Sequence, residues 1–335
     1  MRRVLLLLSI LLLLMASCEL YYEEPVQRGT VRIVSIGITY ENEPEEVAYP
    51  EDEEKDQLGD LPGTVFDARE LSDALKQQAM RAGWNSADIE VTLLLQERED
   101  YSEATVNDTG YASRANLKST LEIIQGTTTE DDLTIITYSG HGIEETGELL
   151  MAHTLTEGAI DLSLPPSDPE SIIVTPEWLY DLIRPIKGKK LLILDSCYSG
   201  VFVPESPSSL SWVYDKGIDD WYGKYFSDEE YEIPSFVVLT ASADSDSYER
   251  KFDDHSHGVF TSALLEALGW NHTTLRIADG APPSARNGLL SVDSLYKYIK
   301  KHQVYPVRWS IFTMDKPIQH PMISGGAMDM LLFSY

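Results

Sequence analysis

LTIITYSGHG at residues 133–142 and KLLILDSCYSG at residues 190–200 set the architecture of this chain. Each begins as a short run of leucine and β-branched residues, the pattern of a strand buried on both faces. Each then stops at small, polar, glycine-bearing residues: Ser139-Gly140-His141-Gly142 in one, Asp195-Ser196-Cys197-Tyr198-Ser199-Gly200 in the other. In an open parallel sheet, ligands sit beyond the carboxyl ends of the strands. A histidine and a cysteine therefore arrive on one rim, from two strands that can lie side by side.

Working outward, Val31 to Ile38 (VRIVSIGI), Ile89 to Leu95 and Phe236 to Thr240 read as further strands. Apolar residues at Val65, Phe66, Ala68, Leu71, Ala74, Leu75 and Ala79 have the spacing of an amphipathic helix running to Met80. Ser113 is placed to cap a helix through Ile124, and Thr175-Pro176-Glu177 opens another, with Thr as cap and Pro in the first turn. Gly258 to Leu268 and Val292 to Lys301 read as two more helices. Strands alternating with helices predict an α/β fold with a mostly parallel central sheet and helices on both faces. There is no internal repeat.

A thiol is a useful nucleophile only as thiolate, and a nearby imidazole promotes that form. The flanking glycines let backbone amides approach a substrate closely, where they stabilise the oxyanion of a tetrahedral intermediate. A lone buried cysteine is ordinary core filler, and a lone histidine after a strand says little. The two together, each at a strand end and each beside glycine, favour catalysis. Rival chemistries lack their motifs: there is no G-x-S-x-G elbow, no glycine-rich phosphate loop after a strand, and no H-E-x-x-H. His255 and His257 with Asp253 and Asp254 form a second group of potential metal ligands, expected to be a solvated loop instead.

The formal net charge of −29 over 335 residues argues against nucleic acid as a partner, since phosphate contacts need clustered Lys and Arg. The N-terminus is different in kind. Met1-Arg2-Arg3 followed by the apolar run Val4 to Leu14 reads as a secretion signal, too short to span a bilayer comfortably. Met15-Ala16-Ser17-Cys18 then resembles the lipobox of bacterial lipoproteins, with Met15 where Leu is usual. That resemblance implies cleavage before Cys18 and acylation of its thiol, a membrane anchor through the N-terminal lipid, and an extracytoplasmic place in the bacterial cell envelope. Only two cysteines are present, so a lipidated Cys18 leaves Cys197 without a disulfide partner, and a lone thiol in an exported protein calls for a chemical role. The expected organisation is a signal peptide over 1–17, a tether over 18–29, one domain over 30–325 and a C-terminal tail over 326–335. Within the domain, 41–57 reads as an acidic solvated loop and 203–234 as a long loop.

The two strand-end motifs resemble the YSGHG and DSCHSG signatures of caspase-like peptidases, particularly metacaspases and their bacterial relatives, with Tyr198 where the second usually has His. Weaker matches follow in the same order: Leu61 to Ala68 (LPGTVFDA), Thr240 to Ala243 at a strand end that helps line the substrate cleft, Gly258 to Thr261, and Gln319 to Pro321. The resemblance implies a caspase-like fold and hydrolysis of a protein or peptide substrate. It makes Cys197 the nucleophile and His141 the acid/base, with the amides of Gly142 and Cys197 as the oxyanion hole. It also implies an acidic S1 pocket of Asp67, Ser139 and Asp195, suited to Arg or Lys at P1; the arginines that caspases proper use there have no counterpart. No cofactor is called for. Calcium, frequent in metacaspases, finds no matching arrangement in Asp161, Asp168 and Asp181, which leaves the acidic loop as its one remaining place. Lys216 and Lys224 in the long loop are where a basic-specific peptidase would process itself. A catalytically silent binding module and an acyl transferase or ligase using the same dyad are the alternatives.

Overall fold

The computed structural model describes residues 28–41, 59–97, 102–144, 146–155, 160–203, 236–243, 245–252, 255–303, 319–324 and 330–335. The signal segment and Cys18, the tether up to residue 27, the acidic loop beyond Glu41, the long loop beyond Val203, and Asp253 and Asp254 lie outside the described residues.

Five parallel strands carry the molecule: β1 (Val31–Ile38), β2 (Ile89–Gln96), β3 (Leu133–Ser139), β4 (Lys189–Asp195) and β5 (Phe236–Thr240). A two-residue strand, β6 (Met322–Ile323), joins antiparallel to β5, giving the order β6-β5-β4-β3-β1-β2. The helices that cover the sheet are α1 (Thr64–Arg81), α2 (Arg114–Thr127), α3 (Pro176–Ile183), α4 (Val259–Ala267) and α5 (Val292–His302). Successive strand side chains point to opposite faces, which divides the core in two. Val34, Ile136, Leu192, Leu194 and Val238 face Leu117 and Leu121 of α2 and Leu179, Tyr180 and Ile183 of α3. Ile33, Ile135, Leu191, Ile193 and Leu239 face Leu71, Ala74 and Leu75 of α1, Phe260 and Leu264 of α4, and Leu295 and Ile299 of α5. The expected layers, a mostly parallel sheet covered on both faces, are present.

The caps explain where the helices begin. Ser113 Oγ accepts from the Asn116 amide at 3.2 Å, and Thr175 Oγ1 accepts from the Trp178 amide at 3.1 Å. Ser291 and Ser294 form a reciprocal capping box at the start of α5. The first turn of α1 has no side-chain cap; it holds Asp67, whose charge the helix dipole favours there.

The ordered fold also reaches past residue 325. Leu331–Ser334 pairs antiparallel with Leu289–Ser291, and Phe333 is buried against Trp84. Among the described residues, no helix is long and apolar enough to cross a membrane.

Candidate active site

Register alone brings the two motifs together. Ser139, the last residue of β3, is the pairing partner of Asp195, the last residue of β4. His141 and Cys197 each follow two residues later, so they leave neighbouring strands at equivalent positions. The backbones then close up: a Cβ on Gly142 would lie 2.0 Å from the Cys197 carbonyl oxygen. Only glycine permits that approach.

A cavity of about 240 Å³ opens at this rim, lined by His141 and Cys197 together with Asp67, Ser139, Asp195, Asp246, Ser247 and Glu249. Five of the residues expected from the sequence thus share one pocket. Gly142 is not among its lining residues and contributes through its contact with Cys197.

His141 is set by main-chain and phenol groups. Its Nε2 lies 2.7 Å from the Gly59 carbonyl oxygen, which can only accept, so the hydrogen is on Nε2 and the lone pair on Nδ1. Its backbone amide donates to the Tyr40 hydroxyl at 3.1 Å, and the Tyr40 ring packs against the imidazole at 4.6 Å. Tyr40 itself sits at a positive φ of 54° and is held by the carbonyl of Leu150. Burial pulls the His141 pKa down, with the Gly59 carbonyl and Asp60 opposing it. Cys197 accepts from the Ser247 amide at 3.3 Å. Burial, reinforced by Asp246 and Asp195 and opposed by the Ser247 amide, pushes its thiol up to about 11. At neutral pH the free protein therefore holds a thiol and a neutral imidazole.

The carboxylates beneath are fixed by donors. Asp67 accepts from Ser139 Oγ at 2.6 Å, from His257 Nδ1 at 2.8 Å and from the Gly258 amide at 3.2 Å. Asp195 accepts from Ser247 Oγ at 2.6 Å and from the Thr261 hydroxyl and amide at 2.7 and 3.0 Å. Burial and then the neighbouring Asp67 push Asp195 up to about 7, against the pull of those donors. Burial likewise raises Glu249, with Asp67 adding to it. Carboxylates raised by burial and then by a neighbouring carboxylate, as Asp195 and Glu249 are, make a site electrostatically suited to a cation. Arg69, two residues from Asp67, turns outward to Glu97 on the surface.

Four wall residues escaped the sequence reading. Asp246, Ser247, Tyr248 and Glu249 follow β5 only after a turn, whereas Thr240 to Ala243, expected to line the cleft, are not among its lining residues. Gln319 pins this wall, accepting from the Tyr248 amide at 3.3 Å and donating to Ser247 Oγ at 3.2 Å. The strand-end rule applied to β5 points to this segment but not to the residue. Tyr40 carried no signal beyond lying just past β1.

His255 and His257 correct the expectation of a solvated loop. His257 is fully buried and the His255 side chain is only 6% exposed. The cause is a short ribbon in which Ser256–Gly258 pairs with Glu249–Lys251, laying the two imidazoles beside Asp67 and Glu70 of α1. Burial, the largest influence, pulls His257 down, but the hydrogen bonds its ring donates to Asp67 and Glu70 raise it to about 9.

Residues 47–280 match the family model described as the caspase domain, more than half of the chain. The chain belongs to the caspase domain family. That domain suggests cysteine peptidase activity and implies a peptide substrate. Two solved structures are similar to this caspase-domain chain over most of its length. One is the crystal structure of a Geobacter sulfurreducens protein, with a TM-score of 0.45 and 16% identity, covering 88% of this chain and 92% of that one. The other is pro-Sf-caspase-1, with a TM-score of 0.41 and 14% identity, covering 91% of this chain and 94% of that one. No curated protein matches the chain.

Proposed function

We propose that this caspase-domain protein is a lipid-anchored cysteine endopeptidase of the bacterial envelope, cutting after Arg or Lys, with Cys197 as nucleophile and His141 as acid/base. One observation carries the reading: Cys197 and His141 open onto the same cavity as Asp67, Asp195, Asp246 and Glu249. In this scheme the Nδ1 lone pair of His141 takes the thiol proton as sulfur attacks the scissile carbonyl. The amides of Gly142 and Cys197 donate to the oxyanion. The imidazolium then returns its proton to the leaving amine, and water hydrolyses the thioester.

The acidic pocket has two roles here. A P1 guanidinium pairs with Asp195 and Asp67, where each charge-assisted hydrogen bond contributes about 1.5–3 kcal/mol. The same positive charge offsets the field of Asp195 and Asp246 that, after burial, holds the thiol proton on Cys197. A basic residue therefore both binds and arms the nucleophile. Anchoring comes from acyl chains on Cys18, and no cofactor enters the scheme.

Fluorogenic peptides with Arg or Asp at P1, offered under reducing conditions with and without calcium, test this. Turnover of the Arg peptide alone, lost in Cys197→Ala, is expected. Equal turnover by Cys197→Ala removes the proposal.

A further inference from the structure

Four side chains from three distant segments converge beside Asp67. Glu70 lies in α1, His255 and His257 in the ribbon, and His272 just past Trp270–Asn271. Their ligand atoms all lie within 4.8 Å of one another. His255 Nε2 is 3.0 Å from His257 Nε2 and 3.5 Å from Glu70 Oε1. Glu70 Oε2 is 3.4 Å from His257 Nε2 and 3.1 Å from His272 Nδ1. A tetrahedral zinc ion with bonds near 2.0–2.1 Å sets its donors roughly 3.3 Å apart. These four separations bracket that value, and the full set spans no more than 4.8 Å, so small side-chain movements close the shell.

We propose that Glu70, His255, His257 and His272 bind one divalent transition-metal ion, with Zn²⁺ the best fit. Three imidazoles and one carboxylate suit zinc and its neighbours, whereas calcium and magnesium take oxygen ligands. The imidazole orientation agrees, with the metal displacing the His257 Nε2 proton that the free protein directs at Glu70. Asp67 accepts from His257 Nδ1 at 2.8 Å, which turns Nε2 into the cluster, the carboxylate–histidine–metal arrangement of zinc sites. Two imidazole nitrogens facing each other at 3.0 Å repel unless a proton or a metal ion lies with them. The Trp270 indole N–H donates to Glu70 Oε2 and fixes that carboxylate. Phe252 packs 5.5, 5.4 and 4.5 Å from the rings of His255, His257 and His272, an apolar flank that strengthens charge interactions. His272, with its side chain 23% exposed, gives access from solvent.

The site stands apart from the peptidase reading, but its consequence rests on it. A metal on Nε2 locks the ring that donates to Asp67, and so stiffens the wall of the substrate pocket.

The full chain carrying Cys197→Ala, which keeps the active-site thiol out of the measurement, is stripped with chelator and titrated with Co²⁺ and then Zn²⁺. One equivalent of Co²⁺ should develop visible ligand-field absorption that Zn²⁺ displaces, with a rise in Tm. Added to that background, His272→Ala and Glu70→Gln should each weaken binding more than about 100-fold, and Asp67→Asn about 10–100-fold, the range for losing an outer partner of a ligand. Far-UV circular dichroism checks the fold, and the near-isosteric Glu70→Gln decides if His272→Ala unfolds. No absorption, or equal affinity in folded Glu70→Gln, overturns the site.

Discussion

Asp195 and Glu70 are two buried carboxylates driven in opposite directions. Burial is the largest influence on both and raises both. Around Asp195 stand hydroxyls, an amide and a second carboxylate, and it ends at about 7. Around Glu70 stand His257, His272 and the Trp270 indole, and it ends at about 2. Asp67 lies between them, repelling Asp195 on one side and hydrogen-bonded to His257 on the other. The difference is one of counter-charge: Glu70 has cationic or cation-binding partners within the fold, whereas the pocket around Asp195 has carboxylates awaiting one.

The largest effect that sharpens this contrast comes from the pocket side. Asp195→Asn should lower kcat/KM for an Arg peptide by about 100-fold, the size of one or two lost charge-assisted hydrogen bonds. Stability should respond with the opposite sign. The folded state holds the Asp195 proton up to about 7, so its contribution falls as pH rises from the unfolded value of 3.8 through 7. Denaturation of Asp195→Asn across that window should show a flatter pH dependence than the wild type.

Glu70→Gln probes the other side. It should lower stability by about 2–3 kcal/mol, because the buried His257 and Trp270 and the partly exposed His272 lose a charged acceptor, and change kcat/KM by less than about threefold. A loss of activity as large as that of Asp195→Asn would show that the two regions are one. The smallest effect concerns Cys197 itself. Its alkylation by iodoacetamide, followed on the Cys197 peptide, should keep rising with pH toward about 11 instead of levelling near 9. A plateau near 9 would mean that the carboxylates and burial do not hold the thiol proton.

The central sheet was legible because it rests on local patterns. Continuous apolar runs named β1 to β5, and Ser113, Thr175 and the spacing from Val65 to Ala79 named α1, α2 and α3. The placing of His141 beside Cys197 followed from strand ends alone. Non-local pairing was not legible. Nothing in Ser256 or Gly258 says that they pair with Lys251 and Glu249, and that pairing is what buries His257 against Asp67. Likewise Phe333 joins the core only because its strand meets Leu290, far away in sequence. Tyr40 and Gln319 act through hydrogen bonds to segments about a hundred and about seventy residues away, which periodicity does not encode.

A cleavage profile on a peptide library, read by mass spectrometry for wild type and Cys197→Ala in parallel, tests whether Cys197 cuts after basic residues. Cuts after Arg and Lys that vanish in Cys197→Ala are expected. Cuts after Asp, or any cleavage that survives in Cys197→Ala, would contradict the proposed function.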